Sequence, residues 1–156
     1  MTALTDMRVR VIKRFRDLNI PLAAGYAAYR GGRVGNIPLT YTCAPMGSVA
    51  NQTALGSVIG RDITVAGDLV SIELDETIEV EYMANDTNAG AIAIATDFMK
   101  IAQYKDDHTF TISANNGAGL TYQKAGFIVD VDPVSGDVGV WVDPMISRTA
   151  TASLVS

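Results

Sequence analysis

The sequence has one cysteine, Cys43, and one histidine, His108, in 156 residues. One residue of each type cannot build the usual set of zinc ligands, and a single thiol cannot form the disulfide framework of a small secreted protein. Long apolar runs are also missing. The uncharged stretch over residues 34–60 is not such a run, because it is rich in Asn, Pro, Gln, Thr and Ser. We therefore expect no metal, no cofactor and no membrane association.

Apolar residues make up 48% of the chain, which is enough for a core. A chain of this length buries roughly 70% of the surface of its unfolded state, so one domain can fold without disulfides or metal. The short apolar stretch over residues 19–29 is broken by Pro21 and Gly25 and does not resemble a signal-peptide core. The sequence thus predicts a protein that is made in the cytoplasm.

Charge is distributed unevenly along the chain, whose net charge is −5. Residues 1–33 carry seven basic and two acidic side chains, whereas residues 34–156 carry five basic and 15 acidic ones. A basic segment before an acidic body indicates an acidic partner, such as nucleic acid, an anionic surface or a neighbouring copy. A solvated charged segment is the alternative. Because the acidic body repels phosphates, we expect no binding to nucleic acid.

Residues 1–60 predict an extended, largely irregular N-terminal arm. A helix would place on one face the apolar residues Met7, Val11, Phe15 and Leu18. Alternation of apolar and basic residues over the same segment also fits a strand, although a short helix or an extended arm is favoured. From Leu22 to Gly60 periodicity is poor and glycine and proline are frequent, which predicts a long segment held by another surface.

Residues 61–146 predict a small antiparallel β-barrel or sandwich, and residues 147–156 a C-terminal tail. Short alternating segments are separated by turn signals, including Asn115-Asn116-Gly117 and the residues 133–137 between two valine-rich segments. A turn is also expected at Asp75-Glu76-Thr77. The flanking segments have an apolar face and an acidic face, and the acidic face contains Glu73, Glu79 and Glu81. Such a face is either solvated or matched by cations from a partner.

Catalytic patterns are weak, so the sequence predicts a protein that is not an enzyme. His108 follows Asp106-Asp107 where a turn would expose it, and Cys43 has no activating residues nearby in sequence. The segment 130–137 does not match a calcium loop, because its glycine is one place late and no glutamate closes it. A hydrolase that uses His108 with an aspartate is retained only as a hypothesis to be tested.

Three β-segments carry a resemblance to a known family. They are Ala66-Gly67-Asp68-Leu69-Val70, Ala125-Gly126-Phe127-Ile128-Val129 and Val138-Gly139-Val140-Trp141-Val142. Together with the preceding arm, they resemble the small capsid decoration, or cement, proteins of tailed bacteriophages over roughly residues 60–145. The resemblance implies a structural virion protein on the head surface, which binds the major capsid protein, bridges capsid subunits and assembles as a homotrimer.

The predicted contact residues follow from charge. For contacts with the capsid or a neighbouring copy, the arm offers Arg8, Arg10, Arg14, Arg16, Arg30 and Arg33. Glu73, Glu79 and Glu81 form the acidic face for a partner. Two alternatives remain open: a phage tail structural component, and a β-barrel module that binds a glycan or peptide in a groove lined by Trp141, Tyr82 and Tyr104.

Overall fold

The structure is a computed structural model that describes residues 10–143. Strands account for 51% of the described residues and helix for 3%, which confirms the mainly β fold class. The described strands are β1 (Val11–Pro21), β2 (Arg33–Asn36), β3 (Cys43–Pro45), β4 (Ala54–Val58), β5 (Leu69–Asn85), β6 (Ile101–Asp106), β7 (Thr109–Thr111), β8 (Gln123–Val131) and β9 (Val138–Val142). One short helix, α1 (Ile94–Asp97), precedes β6.

Packing divides the chain into two units. The first unit is Arg14–Ile78, and the described parts of the second unit are residues 10–13 and 79–143. The long strands β1 and β5 contribute residues to both units. The predicted domain boundaries, after residues 60 and 146, stay predictions, and the predicted tail 147–156 lies outside the described residues.

In the first unit the strands pair in the order β3, β2, β4, β5, and β1 also pairs with β5. The pairs β2–β3, β2–β4 and β4–β5 are antiparallel. Apolar side chains of these strands form a core, because every second residue of a strand points to the same face of the sheet and these positions are mainly apolar. The most deeply buried are Ile20, Leu22, Val34, Val58, Val70 and Ile72.

Residues 11–21 form a strand, so the helix that the sequence also allowed is wrong. The burial pattern gives the reason, since Leu18 and Ile20 are buried while Asp17 and Asn19 are exposed, a period of two. Residues 22–60 contain β2, β3 and β4, joined by irregular connections. These strands are three to five residues long, too short to produce a clear periodicity in the sequence.

The expected turn at Asp75-Glu76-Thr77 is absent, because β5 continues through these residues as one strand of 17 residues. Partner strands flank the expected turn on both sides: β4 pairs with residues 72–74, β9 with residues 80–83 and β7 with residues 84–85. The polar side chains that suggested a turn are exposed on the strand instead.

In the second unit β5 pairs with β7 in parallel, and the pairs β6–β7, β6–β8, β8–β9 and β5–β9 are antiparallel. These pairings run as a ring from β5 through β7, β6, β8 and β9 back to β5, whereas the described strands as a whole do not close into one barrel and fit a sandwich. A buried cluster forms the core, with Met83, Ile92, Ala102, Phe110, Ala125, Ile128, Val138 and Val140. Among residues 10–143 no helix has the length and apolar character to cross a membrane.

The turn at residues 133–137 joins the paired strands β8 and β9 as predicted, whereas the turn at residues 115–117 lies between β7 and β8, which each pair with β6 and not with each other. Side-chain oxygens hold both turns. Asp132 Oδ1 accepts hydrogen bonds from the N–H groups of Val134 and Ser135 between β8 and β9. Asn116 Oδ1 accepts from the N–H groups of Ala118 and Leu120 in the loop before β8. Short polar side chains that bond to their own backbone favour turns in this way.

Candidate functional site

The basic residues predicted to contact a partner lie largely on or near β1. Arg14 and Arg16 are exposed on this strand, as is Lys13. Among residues 10–143, β5 is the one strand that pairs with β1. The hydroxyl of Ser71 on β5 donates to Asn19 Oδ1 at 2.9 Å across this pair. The second edge of β1 is therefore unpaired within the described chain. Arg8 lies outside the described residues.

Arg10 contacts the acidic face of its own chain. Its guanidinium donates from Nε to Glu81 Oε1 at 3.3 Å and from Nη2 to Glu81 Oε2 at 3.2 Å. The hydrogen bond and the charge of Glu81 raise the pKa of Arg10 above its ordinary value. The neighbouring Lys13 ammonium lies 4.8 Å from the centre of the Tyr82 ring, a cation–π contact. Part of the acidic face is thus matched within the chain.

Arg33 makes a second ion pair of this kind within the first unit. Its Nη1 and Nη2 donate to Asp75 Oδ1 and Oδ2 at 2.6 and 2.8 Å, and Nη1 also lies 3.4 Å from the Ser57 hydroxyl. This hydrogen-bonded guanidinium lowers the pKa of Asp75. A two-point pair fits the planar guanidinium and orients it on the sheet.

The other predicted contact residues are exposed. Arg16 makes no ion pair among the described residues, and the backbone N–H of Arg30 donates to Asp62 Oδ1 at 2.8 Å. The acidic residues Glu73 and Glu79 are exposed on β5, whereas Glu81 is half-buried. The structure thus brings Arg10 together with Glu81, whereas Arg33 pairs with Asp75, which is not one of the three predicted glutamates.

The three aromatic residues of the groove hypothesis have different partners. The buried Tyr82 donates its hydroxyl to Asp130 Oδ2 at 2.6 Å, and burial, with this hydrogen bond, raises the pKa of Tyr82. The Trp141 and Phe127 rings lie 5.8 Å apart. The ring centres of Tyr104 and Phe110 lie 5.6 Å apart, and Tyr104 packs against the core cluster to which Phe110 belongs. Strand pairing places Tyr82 and Trp141 on one sheet face, away from Tyr104, so the three rings do not line one groove.

Sequence reasoning missed a buried polar network around Asp86. Its Oδ1 accepts from the Lys105 ammonium at 2.6 Å and from the Asn88 N–H at 3.2 Å, and its Oδ2 accepts from the Thr111 hydroxyl at 2.9 Å. The same hydroxyl lies 3.2 Å from the Gly90 carbonyl oxygen. The network fixes the connection between the parallel strands β5 and β7. No sequence motif predicts this network, because the two side chains that bond to Asp86 are 19 and 25 residues away from it.

His108 lies in the turn between β6 and β7 with two carboxylates. Its Nδ1 is 2.7 Å from Asp107 Oδ1 and 3.2 Å from Asp106 Oδ1. These three groups are close enough together to hold a cation, but exposed acidic groups are common without one. No hydroxyl or thiol bonds to the imidazole among residues 10–143, so the described residues give the hydrolase hypothesis no nucleophile.

Cys43 is fully buried in β3, where its thiol lies 3.7 Å from the Ile20 carbonyl oxygen. Burial raises the pKa of Cys43 to about 11. Since the thiolate is the reactive form, we expect alkylation by iodoacetamide at pH 8 to be on the order of a hundredfold slower in the folded chain than in guanidinium. Mass spectrometry of the alkylated fraction over time measures both rates. Equal rates would contradict a buried thiol.

Comparisons of the chain with protein-family models, characterised proteins and solved structures found no match. The functional argument therefore rests on the chain's own residues.

Proposed function

We propose that the protein is a structural virion component that binds the outer surface of a phage head shell and stabilises it by bridging capsid subunits. The observation that carries this proposal is β1, an exposed strand of eleven residues that is paired on one edge among the described residues and lies in the most basic part of the chain. An exposed strand edge offers backbone hydrogen bonds to another protein.

The polar groups of the interior also support a scaffold role. Asp86 and Tyr82 are buried, and both are fully engaged in hydrogen bonds with the chain itself. Within residues 10–143, no buried side-chain nitrogen or oxygen lacks a hydrogen-bond partner. Buried groups that are paired in this way make a body rigid.

The ion pairs narrow the residues proposed for shell contact. Arg10 and Arg33 already bind carboxylates of the same chain, so a partner would have to compete for them. Arg16 and Arg30 are exposed, and neither forms an ion pair within the described part of the chain. We assign the electrostatic part of shell binding to these two residues.

Co-sedimentation with mature shells from the source of the sequence tests the proposal. We expect binding that saturates at a fixed ratio to the capsid protein and weakens when Arg16 and Arg30 are both replaced by alanine. Replacement of both Arg61 and Lys124 by alanine is the matched loss of two positive charges at exposed residues outside β1 and should leave binding unchanged. Analytical ultracentrifugation of the unbound protein tests the proposed trimer.

Binding to purified tails instead of shells would favour the alternative, a tail structural component. Failure to bind either particle would overturn the virion proposal. The ligand-binding module is not favoured, because Trp141, Tyr82 and Tyr104 do not share a surface.

A further inference from the structure

The unpaired edge of β1 has the geometry of a site for strand addition. We define the β1 edge as the side of residues 11–20 that does not face β5. A strand of eleven residues spans roughly 35 Å, at about 3.3 Å per residue. Every second N–H and C=O along this edge points away from β5. Among residues 10–143 no backbone group bonds to these outward groups.

The side chains beside this edge are mainly cationic. Lys13, Arg14 and Arg16 are exposed and basic, and Asp17 is the one acidic residue on the strand. Directly opposite residues on neighbouring strands have Cβ atoms about 5 Å apart, so the charge of the nearest strand dominates the choice of partner. Acidic side chains of β5 would be two strand spacings from an added strand, roughly 10 Å, which exceeds the Debye length of about 8 Å at physiological ionic strength.

A second copy of β1 fits this edge poorly. Each copy would bring the same three cations and one carboxylate, so most contacts would join like charges. Charged edge residues oppose such edge-to-edge association between identical molecules. An extended segment with glutamate or aspartate at alternate positions would instead place its charges opposite Arg14 and Arg16, which lie on the same face of β1.

We propose that the β1 edge binds an extended acidic segment of a partner protein by strand addition. The inference rests on the proposed function in one respect, that the shell protein supplies this segment. Backbone hydrogen bonds along β1 give the affinity, and carboxylates opposite the basic side chains select an acidic segment in preference to a basic one.

Three synthetic peptides and two variants test the site directly. The first peptide has eight residues that alternate glutamate with threonine or valine, the second has lysine at each glutamate position, and the third is the acidic peptide with N-methyl groups along one edge. Arg16→Glu reverses a charge on β1. Arg61→Glu makes the same change at an exposed residue of the first unit outside that strand. Readouts are binding affinity and amide hydrogen exchange of β1, which NMR resolves residue by residue.

We expect the acidic peptide to bind with a Kd about tenfold or more below that of the lysine peptide. It should slow exchange of the outward amides of β1, which exchange quickly in the unbound chain. N-methylation and Arg16→Glu should each weaken binding several-fold, and Arg61→Glu should not. Slow outward amides in the unbound chain, equal binding of acidic and lysine peptides, or dimerisation through β1 would each overturn the proposal.

The same exchange measurement on the shell-bound chain separates this proposal from the proposed function. Shell binding that slows the outward amides of β1 supports both. Binding without a change in β1 overturns strand addition and leaves the virion role intact. Binding of the acidic peptide at β1 without shell binding supports the acidic-strand site and overturns the proposed source of the segment.

Discussion

Replacement of Asp86 by alanine is expected to reduce the free energy of unfolding by about 3–5 kcal/mol, the range for breaking one side of a buried ion pair. The Asp86 side chain is 4% exposed and its partner Lys105 is 18% exposed. Without the carboxylate, the Lys105 ammonium loses its hydrogen-bonded counter-charge, and the Thr111 hydroxyl loses an acceptor. Urea unfolding followed by far-UV circular dichroism measures the change.

The double variant Asp86→Ala with Lys105→Met is the control that isolates the charge. Methionine keeps most of the apolar stem and removes the ammonium, so the pair should be less unstable than Asp86→Ala alone. If the single variant lies within about 1 kcal/mol of the wild type, an amount typical of an exposed ion pair, the network is not a main support of the second unit.

The same variant should change the response to acid. Burial is the largest single influence on Asp86 and would raise its pKa, but hydrogen bonds from Lys105, Asn88 and Thr111 together bring the pKa below its ordinary value. A carboxyl with a lowered pKa in the folded state stabilises the fold above its unfolded pKa, about 3.9, and loses this effect as the pH falls through the folded pKa. Below about pH 4, the unfolding free energy of wild type should therefore fall more steeply than that of Asp86→Ala.

Local signals in the sequence predicted the β8–β9 hairpin well. Valine-rich alternation marked both strands, and the turn at residues 133–137 contains proline, serine, glycine and aspartate. Here Asp132 bonds to the N–H groups two and three residues later. Because the interactions that make this hairpin are short-range, the sequence carries them directly.

Strands β1 and β5 show where local signals fail. The apolar residues of β1 fit a helix and a strand almost equally, and the burial of Leu18 and Ile20 against the rest of the first unit decides for the strand. In β5, Asp75-Glu76-Thr77 has turn chemistry, but Arg33 binds Asp75 and β4 pairs with the residues before it. The outcome in β5 depends on Arg33, which is 42 positions from Asp75, and on β4, which is 14–18 positions from its partners in β5, so a short local window includes neither.

Charge analysis of the sequence missed how the charged residues are arranged. The basic and acidic blocks suggested attraction between this chain and a partner. Pairing of β1 with β5 puts the two blocks side by side, and Arg10 binds Glu81 as a result. The acidic face is therefore partly neutralised by the chain itself. We therefore propose the β1 edge, rather than the charge of the whole arm, as the feature that selects a partner.

Replacement of Gly126 by alanine is expected to cost about 3 kcal/mol or more, at or beyond the upper end for overpacking a core. Gly126 lies in β8 between Ala102 of β6 and Val142 of β9. An added Cβ would collide with the carbonyl oxygen of Trp141 and would lie 2.9 Å from the Cα of Val142. Both obstacles are backbone, so relief requires β8 and β9 to separate and lose hydrogen bonds.

Alanine replacements at two further glycines test the same argument if Gly126→Ala fails to fold. A Cβ at Gly139 meets the Tyr82 ring at 2.8 Å, a side chain that can shift, so we expect a smaller loss there. Gly117 has open space but a φ of +77°, which costs alanine about 1 kcal/mol. The order of loss should be Gly126, Gly139, Gly117, measured by urea unfolding or, for an unfolded variant, by loss of near-UV circular dichroism. A loss at Gly126 no larger than at Gly117 would show that β8 and β9 can move apart easily, and the second unit would then lack the rigidity that a scaffold role requires.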